Sequence, residues 1–176
     1  MLAVLWCACV ASATAQTSNA SNEYRIKAVF LFNFAQFVEW PATAFKGPGQ
    51  PIEICILGTD PFGTYLDETV RNEVVGDRPL VVRRHRQVED VGTCQLLFIS
   101  RSEAANIPDI IAGLKGRSIL SVSDADAFAG RGGMVRFVTM NHRINLRINL
   151  EEARAAGLTI SSKLLRRATI VATRER

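Results

Sequence analysis

The amino-acid sequence predicts a single α/β domain: a mainly parallel sheet with helices on both faces and an antiparallel C-terminal hairpin. Three observations carry that expectation. Short apolar runs at 52–57, 95–99 and 118–122 alternate with short helical stretches, and near-continuous apolar strands are what a sheet covered on both faces requires. The last third changes character, to two alternating strands joined by a tight connection, the pattern of an antiparallel hairpin. Finally, 176 residues that are 48% hydrophobic and 22% charged can bury one real core, whereas two domains would each be cramped. Such a composition is neither disordered nor collagen-like. The net charge of +4 is too small, and its basic residues too scattered, for a nucleic-acid surface.

The elements follow in order. Residues 1–15, MLAVLWCACVASATA, carry no charged side chain, and an apolar run ends in Ala13-Thr14-Ala15. That reads as a signal peptide with a small-x-small cleavage site, too short to span a bilayer, with an uncleaved anchor or a lipid-modified cysteine as the alternative. The domain proper is expected over 22–172. Residues 23–40, EYRIKAVFLFNFAQFVEW, should form a helix capped by Ser21 or Asn22 and ended by Pro41. Its apolar stripe extends almost all round, so it must be covered on two sides, by its own core and by another chain. Phe30, Phe34, Phe37 and Trp40 are therefore the candidate partner or dimer contacts. Strand 52–57 leads into Gly58-Thr59-Asp60-Pro61, with Asp60 as N-cap and Pro61 in the first turn of a helix over 61–71. Strands at 80–84, 95–99 and 118–122 follow, with a helical turn at 88–91, a helix from Ser100 to about Leu114 and a short helix between Asp124 and Gly130. The hairpin pairs 134–140 with 143–150 through Asn141-His142. A helix over 151–156 closes on Gly157, and Ser161 or Ser162 caps a last helix carrying Leu164, Leu165 and Ala168.

Catalytic features are thin. Gly130-x-Gly132-Gly133 precedes a strand, whereas dinucleotide loops follow one and open a helix, so it reads as a turn. The Gly58–Pro61 turn sits at a strand's carboxyl end, where open α/β sheets bind ligands, but without further glycines or a P-loop lysine it reads as a capped helix start. No G-x-S-x-G elbow exists, and His85 and His142 both fall in solvated positions. Asp124 and Asp126 have cation-binding chemistry, yet an acidic first turn also suits the helix dipole. Arg83, Arg84 and Arg86 read as a solvated edge. Lys163, Arg166, Arg167, Arg174 and Arg176 are explained by helix-end electrostatics, with an acidic partner or anionic lipid headgroups as the functional alternative. No metal site and no cofactor is expected.

Cleavage of the leader removes Cys7 and Cys9 and leaves Cys55 and Cys94. In an oxidising compartment this pair is most simply a disulfide, closing a loop of about 40 residues for roughly 4 kcal/mol on the chain-entropy model. Two buried free thiols are the alternative. Two thiols and two dispersed histidines do not make a zinc set.

Three stretches together resemble the YfiR family of bacterial periplasmic proteins. They are Tyr24-Arg25-Ile26-Lys27-Ala28-Val29-Phe30 through Phe37-Val38-Glu39-Trp40-Pro41, the Gly58-Thr59-Asp60-Pro61-Phe62-Gly63 turn, and a C-terminal third. That third holds Gly132-Gly133-Met134, Phe137-Val138, Ile148-Asn149-Leu150, Gly157-Leu158 and Ile160-Ser161-Ser162-Lys163-Leu164-Leu165. The resemblance implies a periplasmic α/β protein that tends to dimerise. It implies a partner too, the periplasmic sensor region of a membrane-bound diguanylate cyclase, held inactive until release raises cyclic di-GMP and promotes biofilm formation. It also places Cys55 and Cys94 where the family's disulfide forms. A second cysteine pair that some members carry near the hairpin has no counterpart here.

An exported domain without a catalytic constellation but with an over-hydrophobic aromatic helix suits a binding protein better than an enzyme. The runner-up is a periplasmic small-ligand binder feeding another membrane sensor such as a histidine kinase, and a hydrolase comes third. A deep polar pocket near Asp60 would mark the ligand binder, and a His-carboxylate-nucleophile cluster the hydrolase.

Overall fold

The computed structural model describes residues 12–141 and 143–173, with side chains from Ser21 onward. The expected leader, with Cys7 and Cys9, lies largely outside the described residues, as do His142, Arg174 and Arg176.

The chain opens with α1 (Ser12–Phe37) and a two-residue strand β1 (Val38–Glu39), then runs through β2 (Ile52–Leu57), α2 (Thr64–Val70), β3 (Val74–Val75) and β4 (Arg78–His85). Next come β5 (Leu96–Ile99), α3 (Ile107–Leu114), β6 (Leu120–Ser123), β7 (Val135–Met140) and β8 (Arg143–Asn149). The chain closes with α4 (Leu150–Ala155), β9 (Thr159–Ile160), α5 (Ser162–Leu165) and β10 (Ala168–Val171). One eight-stranded sheet, ordered β10-β8-β7-β6-β5-β2-β4-β3, forms the frame, and β1 pairs with β9 in a separate two-stranded ladder. Within the eight-stranded sheet pairing is parallel except at β7–β8 and β3–β4, and β1–β9 is antiparallel. The single α/β domain and its antiparallel hairpin are as the sequence predicts.

Because successive strand residues point to opposite faces, the apolar strands feed two cores. Ile54, Ile56, Leu96, Phe98, Leu120 and Val122 face α1 and α2. Cys55, Leu57, Leu97 and Ile99 face α3, which contributes Ile107, Ile110 and Leu114. The second core stops at β6. Beyond it, β7 and β8 send Val135, Phe137, Leu146 and Ile148 into the first core only. Their other face carries Arg136, Val138, Asn145 and Arg147, none of them buried.

Several elements depart from expectation. Helix α1 is already formed at Ser12, the first described residue, since residues 12–22 contain neither Pro nor Gly and nothing forces a start at Ser21 or Asn22. It ends at Phe37, because Val38 and Glu39 pair with Ile160 and Thr159. The Phe37 carbonyl is then taken by the Ser161 amide at 2.9 Å. Asp60 does not cap α2. Its Oδ1 accepts the Phe62 N–H at 2.7 Å, a local turn, and the helix starts three residues later, after Gly63 at φ +56°. Residues 100–114 divide into a 3₁₀ turn capped by Ser100 and then α3. The expected last helix shrinks to one turn capped by Ser161. Ala168 lies in β10 instead, where Thr169, Ile170 and Val171 favour extended backbone and the open flank of β8 supplies hydrogen bonds. By contrast, Gly157 follows α4 at φ +76°, as the sequence implies, and the helix starts on a cap the sequence reading did not name, Asn149, which accepts the Glu152 N–H.

Candidate functional site

Helix α1 is the element that joins the chemistry to the surface. Its inward stripe, Ala28, Leu31, Phe34 and Ala35, is almost wholly shielded from solvent. Phe34 stacks on Phe137 with centroids 5.8 Å apart, and Phe30 leans on the same ring at 5.8 Å. The outward stripe is also apolar. Ile26 and Val29 are 41% and 48% exposed, and Phe30 and Phe37 are half-buried beside them at the spacing that aligns residues on one helical face. Of the four aromatic side chains singled out in the sequence, Phe34 therefore belongs to the interior. Trp40 is half-buried and donates its Nε1–H to the Gln95 carbonyl at 2.9 Å. Phe30 and Phe37 remain available at the surface.

The inner face of α1 also carries a charge. Lys27 is fully buried, and its Nζ reaches Asp124 Oδ2 at 2.5 Å and Glu23 at 2.5 Å. Asp124, just past the carboxyl end of β6, accepts a further bond from the Tyr24 hydroxyl at 2.8 Å and lies 3.3 Å from the Arg101 Nε. Burial pushes the Asp124 carboxyl upward, but the hydrogen bond and charge of Lys27, with the Tyr24 hydroxyl, hold it below its ordinary 3.8. Glu23 behaves alike, with burial opposed and outweighed by Lys27 and Thr139. Burial, and then the Asp124 charge, raise the Tyr24 phenol. This cluster pins α1 to the sheet's carboxyl edge. It was not legible from the sequence, since Lys27 reads as a polar interruption of an apolar helix.

Each acidic residue weighed as a ligand is committed to a cation of the chain itself. Asp124 takes Lys27, and Asp126 pairs with Arg136. Asp60 Oδ2 binds Arg84 at 2.7 Å, and Arg84 also grips Asp67, whose carboxyl that hydrogen bond draws down against burial. The Gly58 turn is filled as well: a Cβ there would collide with Ser102 and Glu103.

Cys55 and Cys94 form a disulfide with their Cα atoms 6.0 Å apart, both buried in the core beneath α3. His85, expected in solvent, is half-buried because the end of β4 lays it against this bridge, its Nε2 3.8 Å from the Cys94 Sγ. Cys55, His85 and Cys94 cluster tightly enough to hold a metal ion, but two of those three ligands are spent in the disulfide. Gly130 to Gly133 is a turn as expected, with Gly132 at φ +97°. Among the described residues no helix is long and apolar enough to cross a membrane.

The architecture and the aromatic opening helix define a class of small α/β domain. The profile of the YfiR/HmsC-like family matches residues 24–169, and the chain belongs to that family. No curated protein matches it. Among solved structures, one from Streptococcus pneumonia, described as an ABC domain in complex with L-Trp, superposes with a TM-score of 0.50 at 13% identity. The match covers 68% of this chain and 55% of that one, so the chain spans little more than half of that structure's length. The likeness is one of fold.

Proposed function

We propose that the protein is a non-catalytic periplasmic regulator that binds the sensor region of a membrane diguanylate cyclase and inhibits it, lowering cyclic di-GMP signalling. Membership of the YfiR/HmsC-like family supports the reading. The single observation that carries it is the outward apolar face of α1, where Ile26 and Val29 stand exposed next to Phe30 and Phe37. An apolar face left open on a helix already pinned by a buried ion pair is a surface made for another chain. We assign the partner contacts to Phe30 and Phe37 with these two neighbours, and Trp40 to their border. Inhibition is then preferential binding to the cyclase's inactive conformation, shifting its population. A leader cleaved after Ala15 delivers the domain of residues 22–172 to the periplasm, where the disulfide persists. A homodimer would use the same apolar face, so partner and second copy compete for it.

The experiment is a pull-down and titration of the purified mature protein against the periplasmic region of the cyclase. Saturable binding that is lost in Val29→Asp supports the reading, and absence of binding at high micromolar concentration refutes it.

A further inference from the structure

The uncovered face of β7, β8 and β10 ends in a cleft of about 820 Å³ that includes Asp126, Ala129, Arg131, Arg136, Arg147 and Val171 in its lining. Two of these arginines stand directly opposite one another, since Arg136 pairs with Arg147 across the antiparallel ladder. Like charges in that relation destabilise a sheet unless a counter-charge lies beside them. Arg136 is the more enclosed, and its Nε is buried without a hydrogen-bond partner, although buried donors are nearly always satisfied. The nearby acids are few. Asp126 pairs with Arg136 from a side chain that is 98% exposed, and Glu152 is taken by the Thr173 hydroxyl at 2.8 Å. Among the described residues, Arg131 and Arg147 have no carboxylate within ion-pair distance.

We propose that this cleft binds a small organic oxyanion, its head group held between Arg136 and Arg147 and its apolar body lying against Ala129 and Val171. A carboxylate or a phosphate meets the geometric demand alike. Each offers several acceptors to two planar donor forks and neutralises a pair of like charges. The terminal nitrogens of Arg136 supply one bond to the head group in exchange for the fully solvated Asp126, the exposed guanidinium of Arg147 the others, and Arg131 adds a third cation at the rim. The site lies on the opposite face of the sheet from α1, so it stands or falls independently of the partner reading.

The test is calorimetric titration of the mature protein, at low ionic strength, with phenyl phosphate in one arm and benzoate in the other. Saturable binding of at least one probe is expected, and the arm that binds identifies the head group. Arg147→Gln removes an exposed side chain without a carboxylate partner, so its melting temperature should match the parent while affinity falls about tenfold, the worth of one charge-assisted contact. Arg86→Gln, just past the end of β4, should leave binding unchanged. Failure of both probes to saturate, undiminished binding in Arg147→Gln, or equal weakening in Arg86→Gln would overturn the proposal.

Discussion

Lys27 and Asp124, 97 residues apart, meet at 2.5 Å with the lysine wholly and the aspartate almost wholly shielded from water. The contact ties the first helix to the carboxyl edge of β6, so the aromatic face of α1 is presented in one orientation.

Removing one partner of a buried pair strands the other charge without solvent, at a cost of about 3–5 kcal/mol. Lys27→Ala should lose that much in urea unfolding, and Asp124→Asn less, because Lys27 keeps Glu23 at 2.5 Å. Lys27→Ala combined with Asp124→Asn should lose clearly less than the sum of the two single losses, because neither buried charge is then left facing a neutral partner. Additive losses would mean that the two residues do not share one interaction.

The same pair sets the acid limit. Asp124 and Glu23 are held below their ordinary 3.8 and 4.5 in the folded protein. A carboxyl with a depressed folded pKa contributes stability that is complete above its unfolded value and is lost as pH falls through the folded one. Chemical denaturation should therefore give a constant stability from neutrality down to about pH 5.5 and a steep decline below about pH 4.5. In Asp124→Asn the decline should be shallower.

Much of this architecture was legible in the sequence and some was not, for identifiable reasons. Apolar strands such as Leu96–Ile99 announce themselves because both faces are buried, and Gly157 marks a helix end by the backbone it must adopt. Asp60 misled because one residue type serves both an N-cap and a local turn. Ala168 misled because β10 exists only by virtue of the open flank of β8, a contact between distant segments. In the candidate site, the apolar excess of α1 was visible, but which of its phenylalanines faces inward depends on Phe137, a hundred residues away. The arginine pair of β7 and β8 was likewise hidden until the hairpin register placed the two side by side.

Breaking the disulfide removes a crosslink between residues 39 apart. The chain-entropy model assigns such a loop about 4 kcal/mol. Cys55→Ala with Cys94→Ala should lower the unfolding free energy from urea titration by up to that amount without changing the fold. Equal midpoints for the parent with and without reductant would show that the bridge contributes nothing.

Gly133 is required by contact. A Cβ at this position would run into the ring of Phe128, which is fully buried and unable to swing away. Gly133→Ala should destabilise by about 1–3 kcal/mol through overpacking, and pairing it with Phe128→Leu should recover part of the loss. A neutral single variant would contradict this packing.

The outward face of α1 should separate binding from folding. Ile26→Asp and Val29→Asp alter partly exposed side chains, so thermal stability should change by about 0.5–1 kcal/mol at most. Partner affinity should fall at least about tenfold. Parallel losses in both measurements would make the face structural only.

The most direct test of the regulatory account is the rate of cyclic di-GMP synthesis by the membrane-embedded cyclase, measured with and without saturating amounts of this protein on the periplasmic side. The account predicts that synthesis drops when the protein is present and recovers when Val29→Asp replaces it. A rate unaffected by the native protein would contradict it.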